Sequence, residues 1–424
     1  MRTIFFLLLS LLFLNSCTTT EPENKFTFTP EDASCTEAWL NIEANGSVTI
    51  EREGAEPKQV EVNGNYTFYE EGLKPNTEYN YTATTGDKKL TTKITTLDTT
   101  SNNFTWQSWN FGSEVGSCRL YDAAIINEND IWAVGEILLP DTNENGFSLY
   151  NAIHWDGSEW EFFKIPIKDY GDFITIAQLR TIFAFSGDNV WFASYADLIK
   201  WNGEKFESKA FFMESIPFNG QVNKLWGGSE NDLYCVGNGG AIYLYNGTTW
   251  TKIETGTDLP FVDIYGAANS ETGKEEILAV CNRNYPAGKR LYKIEGNTAT
   301  EISLVIPNYQ AADIDGLWFV PNRRYYIAGN GIYEKKSLED AEWTGKPLEV
   351  SRYAKTSIRG NGLNDIFCVG AFGEILHYNG IRWKSFMDET GWFDGAYNNV
   401  DVKGNIIVAT GGEGQQAKIL IGKR

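Results

Sequence analysis

One apolar pattern recurs seven times in this chain and limits what it can fold into. Its copies are Asp130-Ile-Trp-Ala-Val-Gly135, Asn189-Val-Trp-Phe-Ala-Ser194, Asp232-Leu-Tyr-Cys-Val-Gly237, Glu276-Ile-Leu-Ala-Val280, Arg324-Tyr-Tyr-Ile-Ala-Gly329, Asp365-Ile-Phe-Cys-Val-Gly370 and Asn405-Ile-Ile-Val-Ala-Thr410. They begin 59, 43, 44, 48, 41 and 40 residues apart. Each is a continuous apolar run of strand length, which is the pattern of a strand covered on both faces. A second element follows in most copies: Ile153-His-Trp-Asp-Gly157, Ile199-Lys-Trp-Asn-Gly203, Tyr243-Leu-Tyr-Asn-Gly247 and Leu376-His-Tyr-Asn-Gly380. Three residues past each of these glycines stands an aromatic, Trp160, Phe206, Trp250 or Trp383. Asn-Gly and Asp-Gly pairs tolerate positive φ and so favour tight hairpin turns. A further short strand precedes the apolar run, as at Gln178–Ala184, Val222–Gly227 and Ser357–Gly360.

Each copy is therefore three or four antiparallel strands, with no helical stretch of any length. The 323 residues of 102–424 divide into seven copies of about 46, the size of one propeller blade. The seventh copy ends at Leu420–Arg424 without the last strand and its late aromatic. The missing piece stands at the front, where Asn103-Phe-Thr-Trp106-Gln-Ser-Trp109-Asn-Phe111 reads as that outer strand. The expectation is an all-β chain whose 102–424 region is a seven-bladed β-propeller closed by strand 103–111, an arrangement that hides both terminal edges. The blade pattern resembles the Asp-box and kelch-like propellers that bacteria export. That resemblance covers the whole 102–424 region and implies a fold far more than a function. The turns at Tyr245–Trp250 and Tyr378–Trp383 look like degenerate Asp-boxes. In that family the turn is structural and faces away from the active site, which makes Asn246, Gly247 and Trp250 hairpin parts.

Residues 29–98 are different. Short runs rich in Thr, Val, Ile and Tyr, at Ala38–Ile42, Ser47–Arg52, Val60–Val62, Tyr66–Tyr69, Glu78–Thr84 and Leu90–Thr96, alternate with Gly, Asn and Pro, the signature of strands and turns. The stretch Gly72-Leu-Lys-Pro75-Asn-Thr-Glu-Tyr79 resembles the tyrosine corner of fibronectin type III domains, in which the Tyr hydroxyl bonds back to the chain upstream. The resemblance implies a small Ig/fibronectin III-like β-sandwich with Tyr79 in that role, Leu73 and Trp39 in its core, and spacing or adhesion as its task. The polar segment Asp98–Asn103 reads as a linker.

Residues 1–16 read as a signal peptide. Arg2 precedes Ile4–Leu14, eleven residues that are apolar except for Ser10 and too few to cross a bilayer core, which takes about 20. Leu14-Asn15-Ser16-Cys17 resembles the lipobox of bacterial lipoproteins, although Asn15 departs from the small or apolar residue usual there. The resemblance implies cleavage before Cys17, acylation of Cys17, and a lipidated tether over 17–28. Thr18 instead of Asp after the Cys then favours the outer membrane, facing either the periplasm or the surface. Three acyl chains exceed what stable anchoring needs.

The remaining composition narrows the chemistry. A net charge of −20 repels phosphate backbones, so no nucleic-acid partner is expected. The chain has only two His, His154 and His377, at equivalent blade positions, and its five Cys beyond Cys17 form no CxxC pair. Metal centres and cofactors are thus not expected. Cys235 and Cys368, flanked by apolar residues, read as buried thiols; the pairing of Cys35 and Cys118 stays open. No nucleotide-binding, nucleophile-elbow or zinc-protease motif is present. Ligands of propellers sit over the central channel, where first strands begin and second strands end. Binding candidates there are Arg180, Lys224, Asp263, Asp313 and Arg359, with Ser357 beside them and the glycine-rich exits Gly237–Gly240 and Gly370–Gly373 on the same face. Arg119, Arg180 and Arg359 form a sialidase-like triad only if their blades aim them together. No residue is assigned a catalytic role. The reading is a lipid-anchored envelope protein that presents a propeller to glycans or proteins. The alternative is a carbohydrate-active enzyme, a glycoside hydrolase or polysaccharide lyase.

Labelling cells with a palmitate analogue should mark the wild-type chain and fail to mark Cys17→Ser; equal labelling of the two would refute acylation at Cys17.

Overall fold

The computed structural model describes residues 25–424 apart from 113, 115, 144, 169–172, 195–196, 212–220, 271, 285–286, 308–312 and 346–350. The signal segment, Cys17 and the first part of the tether lie outside the described residues. The chain divides into two compact units between Leu97 and Asp98.

The first unit is built from β1 (Thr27–Ala33), β2 (Glu37–Arg52), β3 (Lys58–Glu71), β4 (Glu78–Thr85) and β5 (Lys88–Thr95). Here the structure corrects the strand boundaries read from the sequence. The runs at 38–42 and 47–52 are one strand, as are those at 60–62 and 66–69. The Asn-Gly pairs between them are kinks in paired strands and not turns. Asn45 faces Asn63 across the ladder, and the adjoining Gly46 and Gly64 have φ of +107° and +84°. Glycine adopts that geometry without steric cost. On one edge of β2, its first half pairs with β1 and its second half with β4, while β3 follows it throughout. All five strands thereby face a single core that includes Leu40, Ile42, Val48, Phe68, Tyr81 and Ile94. The Tyr79 hydroxyl accepts the Lys74 N–H at 2.8 Å, the contact expected of a tyrosine corner.

The second unit holds seven four-stranded antiparallel sheets. Their first strands are β7 (Arg119–Asn127), β13 (Thr181–Ser186), β17 (Val222–Ser229), β21 (Phe261–Ala268), β25 (Ile314–Val320), β29 (Lys355–Gly362) and β33 (Ala396–Lys403). Each of these packs on the next and β33 packs on β7, so the ring is closed. This is a seven-bladed β-propeller. The apolar repeats are the second strands, β8 (Asp130–Pro140), β14 (Asn189–Ala193), β18 (Asp232–Gly237), β22 (Glu275–Asn284), β26 (Arg324–Gly329), β30 (Asp365–Gly370) and β34 (Ile406–Glu413).

Seven separate apolar clusters fill the seven interfaces between neighbouring blades. This is why the repeats are apolar throughout and do not alternate. In β14, Trp191 enters the cluster with the third blade, while Val190 and Phe192 enter the cluster with the first. Trp132, Trp191, Tyr234 and Phe367, equivalent by sequence, are all buried. The late aromatics also repeat their contact: Trp160 packs on Trp155, Phe206 on Trp201, Trp250 on Tyr245 and Trp383 on Tyr378. The 59-residue first spacing is taken up by the long hairpin of β8 with β9 (Phe147–Trp155) and an added pair, β11 (Ile167–Lys168) with β12 (Ile174–Thr175).

The Asn-Gly and Asp-Gly pairs after the third strands close hairpins, as expected. In each, the Asn or Asp side chain caps two following N–H groups; Asn246 accepts from Thr248 and Thr249 at 3.0 and 2.9 Å, an Asx turn. A single helical turn, α1 (Met387–Thr390), also interrupts the expected absence of helix.

The seventh sheet is completed by β6 (Thr105–Gly112) alongside β35 (Gln416–Lys423). Trp106 lies opposite Gly422, where a Cβ would come 2.3 Å from the indole. Trp109 reaches the first blade, packing on Trp155 and Trp160. The segment read as a linker is docked on the sixth blade. Asp98 O accepts from Asn364 Nδ2 at 2.7 Å, the Thr100 hydroxyl donates to Asn364 O, and Asn102 Oδ1 lies 2.7 Å from His377 Nδ1. The other ring nitrogen of His377 meets Asp365 at 2.9 Å, and Arg424 clasps the same carboxylate with both terminal nitrogens. Burial opposes the charge on Asp365, but hydrogen bonds from His377, Arg424 and Asn361 outweigh it and hold this carboxyl at about 2.

Deleting residues 18–97 should leave a cooperative thermal melt, whereas extending the deletion through Gly112 should bare the β35 edge and cause aggregation. Indistinguishable melts would show that β6 does not carry the closure. Trp191→Ala should cost about 3–5 kcal/mol of stability, measurable by denaturant titration.

Candidate functional site

Six of the seven first strands carry the same β-bulge. The register slips between Leu120 and Asp122, Val222 and Lys224, Phe261 and Asp263, Ile314 and Gly316, Lys355 and Ser357, and Tyr397 and Asn399. A bulge leaves one residue unpaired and re-aims its side chain. The bulged residues are Tyr121, Asn223, Val262, Asp315, Thr356 and Asn398; in the second blade Arg180, just before β13, takes the equivalent place. All seven line one cavity of about 370 Å³ at the mouth of the central channel.

Several of these side chains staple neighbouring blades. Asn223 donates to Phe261 O at 2.8 Å, Thr356 to Tyr397 O at 2.6 Å, and Asn398 to Leu120 O at 2.7 Å. The residues one step deeper do the reverse and accept from the next blade. Asp122 takes the Ile182 N–H at 3.2 Å, Thr181 the Leu225 N–H at 3.1 Å, and Asp263 the Leu317 N–H at 3.0 Å. Buried backbone donors and acceptors near the axis thereby find partners without any ladder between blades.

At that deeper level two ion pairs cross the channel. Lys224 reaches Asp122 at 2.8 Å, and Arg359 holds Asp263 bidentately at 2.7 and 2.9 Å. Beyond them lies a second cavity of about 210 Å³ with Arg359, Tyr265 and Asp401 in its wall; Lys224 and Asn399 belong to the walls of both cavities. Burial raises the Asp401 carboxyl, which accepts the Ile125 N–H at 2.8 Å.

The structure distributes the sequence candidates unevenly. Arg180, Lys224 and Asp263 line the mouth cavity, joined by Ser357. Arg359 lies below it, committed to Asp263. Asp313 is outside the wall, and Asp315, two residues on, stands in the cavity instead. Arg119 is exposed at the start of β7, and with Arg359 engaged no Arg triad forms. His154 pairs with Asp130 and stacks on Trp132 as His377 pairs with Asp365 and stacks on Phe367, so the repeat accounts for both. Cys35, Cys118, Cys235, Cys281 and Cys368 are buried and unbridged; burial pushes the Cys368 thiol up to about 12. Sequence reading missed Tyr121 and Asp315, because it placed the channel residues by strand starts and could not see the bulge.

Two charged groups in the mouth are not neutralised by a neighbour. The Arg180 guanidinium lies 3.9 Å over the Tyr121 ring and has no carboxylate partner among the described residues. Tyr121 is itself held by a hydrogen bond to Gln178 Oε1 at 3.0 Å. Asp315 has a hydrogen bond from Asn282 at 2.9 Å and no cation among the described residues. Burial, with help from nearby Asp313 and Asp263 and against the Asn282 bond, lifts it to about 6. A cation on an aromatic face suits a carboxylate ligand. A carboxyl near 6 is able to donate or accept a hydrogen bond.

No known protein family matches the sequence, and no curated protein sequence matches it. Solved structures match the fold. YCF48 bound to D1 peptide superposes with a TM-score of 0.54 at 15% identity, over 75% of this chain and 94% of that chain. YCF48 from Cyanidioschyzon merolae superposes with a TM-score of 0.51 at 13% identity, over 75% of this chain and 98% of that one. At such identities the likeness is one of fold: this chain is similar to them as a β-propeller.

Proposed function

We propose that this chain is a cell-envelope binding protein, lipid-anchored at Cys17 at the outer membrane, whose channel mouth takes a polypeptide ligand. The observation that carries the reading is Arg180, a cation laid on Tyr121 in a cavity of about 370 Å³ with no acidic partner among the described residues. Such a group favours a side-chain or terminal carboxylate. That a propeller of similar fold, YCF48, is bound to a D1 peptide agrees with a protein ligand. The fibronectin III-like unit would serve as a spacer.

An immobilised peptide array probed with the full chain tests this. Peptides bearing an accessible carboxylate should be retained, and Arg180→Ala should weaken them by about tenfold or more while melting near the wild type. Retention indifferent to Arg180→Ala would overturn the assignment.

One observation favours catalysis: Asp315 has the raised value of a general acid. The other acids in the wall, Asp122 and Asp263, are both tied in ion pairs, so a second free carboxylate is missing among the described residues. Turnover of a polysaccharide by the wild type, lost in Asp315→Asn, would establish the enzyme instead.

Asp315 also makes a stability prediction. Its folded value of about 6 exceeds the ordinary 3.8, so the folded state binds the proton more tightly than the unfolded one. Stability should therefore fall as pH rises from about 4 to 6 through this group, and the cost should persist above that window. Asp315→Asn should raise Tm at pH 7.5 and leave it unchanged near pH 4.

A further inference from the structure

We infer that the rim of the mouth between the sixth and seventh blades is a platform for the flat face of a neutral sugar ring, separate from the peptide site at Arg180. Three non-glycine residues have positive φ among the described residues: Asn76, Asn322 and Phe372, at 46°, 57° and 60°. Asn tolerates this region, but a bulky Phe does not without cost. Phe372 sits in the Gly370–Gly373 exit on the mouth face, and its strained backbone turns its ring outward into a three-ring array. Trp392 stacks on it at 5.8 Å with planes 8° apart, and Tyr353 packs on it at 5.0 Å.

The surroundings enforce this arrangement. Phe372 N–H donates to Gly395 O at 2.7 Å, and Phe393 N–H returns to Phe372 O at 3.4 Å. Phe393 is buried, so its neighbour Trp392 is directed outward and remains 58% exposed. A Cβ on Gly373 would lie 2.5 Å from the Phe393 ring. The Tyr353 loop is pinned by a buried ion pair: Lys355 Nζ meets Glu374 at 2.9 Å, donates to Tyr353 O, and bonds Ser351 Oγ at 2.8 Å. Burying a charge pair is costly unless close geometry and further hydrogen bonds repay the desolvation. The bonds of Lys355 to Ser351 and Tyr353 do so here, and the pair ties together the loops on both sides of Phe372.

An exposed indole backed by a parallel ring presents an electron-rich face, which attracts the weakly positive C–H groups on one side of a pyranose. Charge selects among occupants. A second copy of this chain carries the same −20, and an anionic lipid surface or polyanion is repelled likewise; a neutral glycan is not.

Affinity electrophoresis of the full chain through gels containing galactomannan, xyloglucan, mixed-linkage β-glucan or pullulan tests the inference, with polygalacturonate as the anionic control. At least one neutral polymer should retard the wild type. Trp392→Ala should weaken that retardation by about tenfold or more with an unchanged Tm, Trp392→Phe should keep part of it, and Arg180→Ala should behave as wild type. The inference is overturned if no neutral polymer retards the chain, if only polygalacturonate does, or if Trp392→Ala is retarded like the wild type. It is also overturned if the Trp392 substitution changes the sedimentation of the wild-type chain from dimer to monomer. Loss of peptide binding in Arg180→Ala with sugar retardation intact would leave this site standing independently of the other.

Discussion

The joint between β6 and β35 is the constraint on which the rest of the propeller depends. Each blade buries one face of its apolar second strand against the blade before it and the other against the blade after. No interface can therefore be left unmade without exposing a full apolar face. A ring meets that demand only when its first and last sheets are joined. Here the joint is an eight-pair ladder running from Thr105–Lys423 to Gly112–Gln416. Because the closing strand comes from the front of the unit and the other three from its end, backbone hydrogen bonds lock the ring without a covalent link. The packing of Trp109 on Trp155 and Trp160 extends the same joint into the first blade.

Closure also creates the functional surface. Seven strands converging on an axis bring backbone groups together that no ladder can pair, and side chains must satisfy them. The bulges meet this need by giving six of the seven first strands one extra inward side chain, and Arg180 takes that place just before β13. Most of the resulting polar groups are consumed in stapling: Asn223, Thr356 and Asn398 hold carbonyls, Asp122 and Asp263 hold amides and cations. Arg180 and Asp315 are the remainder, and the reading of the mouth as a binding site rests on that subtraction. The fully engaged polar groups define the shape of the cavity; the incompletely engaged ones are available to a ligand.

The architecture was legible in the sequence because it is repetitive. An apolar run between two interfaces has to look the same in every blade, and the absence of a late aromatic in the seventh copy pointed to strand 103–111. The channel was less legible for a local reason. A bulge shifts the inward position by one residue and leaves no composition mark, since the bulged residues are as different as Tyr121, Val262 and Asp315. Asp313, the candidate read from the sequence, lies two residues before Asp315, which is the bulged residue in the wall. The Asn-Gly pairs are hairpin turns in the blades and not in the first unit: the same dipeptide caps an Asx turn at Asn246 and bends a continuous strand at Asn45, and only the partner strand decides which. Trp392 carries no repeat signature at all, and its exposure follows from the burial of Phe393 beside it.

The docking of Asp98–Asn102 on the sixth blade has a mechanical consequence. A pull on the chain from upstream would otherwise reach Thr105 first and unzip the β6 ladder one rung at a time, the weakest direction in which to load it. The contacts of Asp98 with Asn364, Thr100 with Asn364, and Asn102 with His377 intercept that load before β6 begins. They pass it to Asn364, just before β30, and to His377 in the next strand of the same blade, and through Asp365 to Arg424 just beyond β35. Tension entering from the first unit is thus shared between two blades at once, and the ladder that closes the ring is shielded from peeling.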